Sequence, residues 1–105
     1  MHIFDIIEAW RFSMERRLSY SGVIVRFDRS PTDRPNPSCS LNLRRGNHEI
    51  DVLIWESGAA ELSVGSIDGK INQVHFDDVR NLTDFGNLLS KLVEFIDNEE
   101  LSKSR

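Results

Sequence analysis

The chain has 105 residues, 39% hydrophobic and 29% charged, with a formal net charge of −4. That length suits one domain and a single core without metal or disulfide staples, and the balance is that of a folded chain rather than a disordered one. One cysteine, Cys39, excludes an internal disulfide, and no apolar run approaches the roughly 20 residues needed to span a bilayer. The start, Met1-His2-Ile3-Phe4-Asp5, lacks a basic n-region and a small-residue cleavage site, so a cytosolic domain is expected.

From His2 to Tyr20 the periodicity is helical. Ile3, Ile7, Trp10, Met14 and Leu18 recur at three- and four-residue spacings, widened by Ile6, while Glu8, Arg11, Glu15 and Arg16 fall opposite. Ser19, Ser21 and Gly22 end the element. Four or five strands follow. Val23, Val25 and Phe27 alternate with Ile24, Arg26 and Asp28, and Leu41 and Leu43 alternate with Ser40, Asn42 and Arg44. Between them, Asp28 to Pro37 holds all three prolines. Such a stiffened connection reads as an ordered loop or as a binding loop that loses little entropy on docking.

Gly46-Asn47 turns the chain into Glu49–Trp55, with Ile50, Val52 and Ile54 on one face. Ser57-Gly58 leads to Leu62 and Val64, and Asp68-Gly69 to a last strand, Lys70–Phe76. Connections this short imply an antiparallel meander, since a parallel crossover needs a dozen residues or more. A closing helix, capped by Asn81 or Thr83, carries Phe85, Leu88, Leu89, Leu92 and Ile96 on one stripe, and Asp97–Arg105 forms a charged tail expected to fray. The expected fold is one α+β domain over residues 1–105. A four- or five-stranded antiparallel meander packs an N-terminal and a C-terminal helix on one face.

The search for chemistry finds no enzyme constellation. His2, His48 and His75 lack metal-ligand spacing, so no metal or cofactor is expected. Cys39 with His48 or His75 could pair as nucleophile and base, but its register with Leu41 and Leu43 favours a buried structural thiol. The glycines stand singly in turns, unlike a phosphate-cradling loop. Asp77-Asp78 would point to opposite faces and is read as the exposed end of the last strand. The sequon Asn81-Leu82-Thr83 has no meaning in a cytosolic chain.

What remains is surface. With Ile50, Val52 and Ile54 inward, Glu49, Asp51, Leu53 and Trp55 face outward, and Leu62 and Val64 inward puts Glu61, Ser63 and Ile67 outward. Apolar anchors inside an acidic rim, with Glu56, Asp77 and Asp78 nearby, suit a protein interface. The alternative is a Trp55 covered by the chain itself, for example by the proline loop. Charge is uneven. Up to Asn47 there are eight basic and five acidic side chains, a balance of +3, and from His48 five and twelve, a balance of −7. Such a chain is ill suited to phosphate backbones; it reads as steering a basic partner or as a merely solvated surface.

Two stretches carry a family likeness: Asp28…Asp33-Arg34-Pro35-Asn36-Pro37-Ser38 leading into a strand, and Ile54-Trp55-Glu56-Ser57-Gly58 followed by Glu61-Leu62. With the order helix, meander, helix, the chain resembles the TriTu family of bacterial immunity proteins, similar in role to the CdiI proteins of contact-dependent growth inhibition. The resemblance implies a cytoplasmic antitoxin without enzymatic activity. It would bind the C-terminal toxin domain of a CdiA-type effector, a tRNA nuclease that uses the translation factor EF-Tu, with EF-Tu a candidate member of the same complex. The competing reading is a small cytosolic adaptor or secretion-chaperone-like module that docks a peptide on a sheet edge.

Overall fold

Alternating strands joined by tight turns fold as the spacing implies. The computed structural model describes residues 2–30, 33, 35–66, 69 and 71–97. Two N-terminal helices, α1 (Ile3–Ser13) and α2 (Glu15–Tyr20), precede β1 (Ile24–Arg29), β2 (Ser38–Arg45), β3 (His48–Trp55), β4 (Ala60–Ser66) and β5 (Ile71–Phe76), and α3 (Leu82–Asp97) closes the fold. The sheet runs β1-β2-β3-β4-β5 with every neighbouring pair antiparallel. This is the α+β meander expected from sequence, with five strands.

The single expected N-terminal helix is two. Its path breaks at Met14 (φ −97°, ψ 3°). The Ser13 hydroxyl donates 2.7 Å back to the Trp10 carbonyl, a local bond that competes with the helical ladder and bends it. At the β2–β3 turn, Gly46 takes φ 58° in the first central position of a two-residue hairpin, where a side chain is disfavoured. At α3 the Asn81 side chain accepts the Asp84 N–H at 2.8 Å, so Asn81 rather than Thr83 is the cap.

Register decides which side chains meet. Cys39, Leu41 and Leu43 of β2 lie opposite Ile54, Val52 and Ile50 of β3, and these opposite Ala60, Leu62 and Val64 of β4. This face joins Ile3, Phe4 and Ile7 of α1, Leu18 of α2, and Leu88, Leu92, Phe95 and Ile96 of α3 in one core. Phe4 and Phe95 stand outside the stripes read from sequence yet are buried. Arg45 ends the inner row of β2. Its guanidinium donates to the Ile96 and Phe95 carbonyls at 2.8 and 2.6 Å, satisfying acceptors that the end of α3 leaves open. Arg29 ties β1 to α1 through Asp5 at 2.6 Å and Glu8 at 3.2 Å, and Arg17 of α2 pairs with Asp97 of α3. No helix among the described residues is long and apolar enough to cross a membrane.

Candidate functional site

The helices cover one face of the sheet. Across the other, the ladder places Ile24, Arg44, Glu49, Gly65 and Ile71 in one row, and Arg26, Asn42, Asp51, Ser63 and Gln73 in the next. A third row holds Asp28, Ser40, Leu53, Glu61 and His75, and Trp55 stands beside Ser38 at the end. Five residues singled out in the sequence, Glu49, Asp51, Leu53, Trp55 and Glu61, therefore share this open face. Leu53 and Trp55 are half-buried, so Trp55 is neither free in solvent nor part of the core.

The other three predicted residues go elsewhere. Glu56 follows Trp55 past the strand end and lies 3.2 Å from His2 Nε2, in a cleft also lined by Ile3, Ile6 and Phe85 on the helix side. The His2 Nδ1 accepts the Phe4 N–H at 3.1 Å, so the ring caps α1 and donates from Nε2 to Glu56. β5 stops at Phe76, so Asp77 and Asp78 are not strand residues as read. Asp77 stays exposed and approaches His75, while Asp78 turns inward and takes the Arg80 guanidinium at 2.8 and 2.9 Å. That bond, the first of several contacts with Arg80, holds the Asp78 carboxyl below its ordinary range. Gly58 seats this loop. It takes φ 99°, its carbonyl accepts the Val79 N–H at 2.8 Å, and a Cβ there would fall 2.0 Å from Asp78 Oδ1.

The electrostatics differ from an acidic rim around an apolar centre. Arg26 and Arg44 on β1 and β2 bring cations to the same face, and with Asn42, Glu49 and Asp51 they line a shallow depression of about 500 Å³. Asn42 Nδ2 donates to Asp51 at 2.6 Å. At the opposite side His75 lies between two carboxylates, its Nδ1 2.7 Å from Glu61 and its Nε2 3.2 Å from Asp77. The bond to Glu61 chiefly, then the charges of Glu61 and Asp77, push the imidazole above its ordinary value. The face thus carries mixed charge at β1 to β3, and at its β4–β5 side Glu61 and Asp77, just past β5, share the His75 ring. Sequence reasoning missed Arg26, Asn42, Arg44 and His75 as members of it. Extending the two-residue period from β3 to β1, β2 and β5 would have placed all four.

Catalytic chemistry finds no support in these positions. Cys39 is buried on the inner face, and burial pushes its thiol up to about 12, far from a reactive thiolate. No group of His, Cys, Asp and Glu among the described residues could hold a metal ion. The proline loop is tied at its base, where the Ser30 N–H donates to the Ser38 carbonyl and the Ser38 N–H to the Ser30 hydroxyl, both at 2.8 Å. Pro31, Thr32 and Arg34 lie outside the described residues, as do Ile67, Asp68 and Lys70 and the tail from Asn98. Comparison with protein-family models, curated proteins and solved structures finds no match.

Proposed function

We propose that this chain acts by stoichiometric binding, as an immunity protein that neutralises a CdiA-type toxin domain, an EF-Tu-dependent tRNA nuclease, in the cytoplasm. The observation that carries the binding role is the open sheet face, where Leu53 and Trp55 sit within hydrogen-bonded polar neighbours. Half-buried aromatic and aliphatic anchors ringed by polar groups are what a specific protein interface uses. The nature of the partner rests on the sequence resemblance. Two carboxylates around one imidazole, Glu61 on the face and Asp77 just past β5, fit a nuclease that is basic where it handles RNA.

In this reading the protein turns nothing over and needs neither metal nor cofactor. Titrating the toxin domain that this reading expects the gene immediately upstream to encode, in the presence of EF-Tu and tRNA, tests it. Cleavage should stop once inhibitor and toxin are equimolar, and Cys39→Ala should protect as well as the native chain. Protection at a small fraction of the toxin concentration would demand turnover and overturn the proposal.

A further inference from the structure

The two edges of the sheet are built differently. β1, Ile24-Val25-Arg26-Phe27-Asp28-Arg29, carries three charged side chains, and Arg29 is locked onto α1. Charge along an edge is a usual guard against pairing with another chain. β5, Ile71-Asn72-Gln73-Val74-His75-Phe76, carries no Lys, Arg, Asp or Glu; each edge exposes one isoleucine, Ile71 here and Ile24 on β1. It pairs with β4 over its whole length, Gly65↔Ile71 to Ala60↔Phe76, and is the last strand of the sheet.

Beside this edge the helix layer stops short. A groove of about 290 Å³ opens between β5 and α3, floored by Ile50, Leu62, Val64, Val74 and Phe95 and rimmed by Asn72, Lys91 and Glu94. Val64 and Val74 are left half-buried. The opposite side of the strand continues into the open face, because Leu53, Glu61 and His75 form one row. That row ends at His75, whose ring meets Glu61 in the row and Asp77 just past the strand.

We propose that the edge of β5 receives an extended segment of the basic partner, added to the sheet as a further strand. The inference rests on the reading of the chain as a toxin-binding protein and names where part of that partner sits. Strand addition supplies main-chain hydrogen bonds, and alternate side chains of the segment then fall on opposite faces. Those on the helix side are apolar and fill the groove over Val64, Val74 and Phe95. Those on the other side are polar, with a Lys or Arg beside Glu61 and Asp77.

Amide hydrogen exchange of the protein alone and bound to the upstream-encoded toxin domain tests this. In the complex, the β5 amides that exchange fast in the free protein should slow by about 100-fold or more, while those of β1 keep their rates. Gln73 is exposed, so Gln73→Lys should fold normally and weaken toxin affinity by about tenfold or more, whereas Ile24→Lys on β1 should leave it unchanged. Toxin binding with unchanged β5 exchange, or with Gln73→Lys as tight as the native chain, overturns the edge inference and leaves the proposed function standing. Failure of the toxin domain to bind at all defeats the proposed function and this inference with it.

Discussion

The two faces of the sheet are made from the same strands and obey different rules. On the inner face Leu41, Leu43, Ile50, Val52, Ile54 and Leu62 are all buried, and the polar group among them, Arg45, spends its guanidinium on the end of α3. On the outer face polar groups outnumber apolar ones, and ionic or amide neighbours hold them: Asn42 on Asp51, and Glu61 and Asp77 on His75. One face is closed by packing over β2 and β3 and opens at the groove beside β5. The other is held by polar contacts and left open by the helices, as the proposed binding role requires.

The largest effect should come from the closed face. Leu43 is fully buried between β1 and β3, and Leu43→Ala should cost about 2–5 kcal/mol of stability in urea unfolding. A loss no larger than that of an exposed substitution would mean that this face is not the core.

Gly58→Ala comes next, because it strikes the joint that holds both faces in place. The positive φ alone costs a non-glycine residue about 1–2 kcal/mol, and the new methyl group must also push aside both Asp78 and the Arg80 guanidinium. Thermal unfolding should fall correspondingly. In a double-mutant cycle, Asp78→Ala should recover the part of the steric cost that the Asp78 carboxylate causes, but not the backbone part.

These contacts mark the boundary of what the sequence discloses. The meander was legible because Gly46-Asn47 and Ser57-Gly58 are short turns, and both faces were legible because a strand repeats every two residues. The meeting of Gly58 with Asp78 joins loops that no local pattern connects. The break at Met14 depends on which partner the Ser13 hydroxyl takes, and Phe4 and Phe95 are buried by tertiary packing beyond a narrow stripe. Charge misled most. Summing the second half as acidic overlooks that folding brings Asp97 to Arg17 and sets Arg26 and Arg44 on the same face as Glu49 and Asp51.

The smallest effect concerns His75 on the open face. Its folded value is raised above the ordinary 6.5, chiefly by the hydrogen bond to Glu61. A raised value means the protonated ring is favoured in the folded state, so its contribution is complete below pH 6.5 and fades as pH rises through the folded value. An NMR titration of the His75 ring should show this upward displacement, and Glu61→Gln should draw the midpoint back toward 6.5. A midpoint unmoved by that change would remove Glu61 as the cause.

The open face as the proposed binding surface is tested most directly by the affinity of Trp55→Ala for the proposed toxin domain, measured beside its melting curve. Trp55 is half-buried, so stability should fall by only about 1–2 kcal/mol, less than for a core aromatic. Affinity should weaken on the order of 30-fold, the loss typical of truncating a central tryptophan anchor. Native affinity in a folded Trp55→Ala variant would contradict the account.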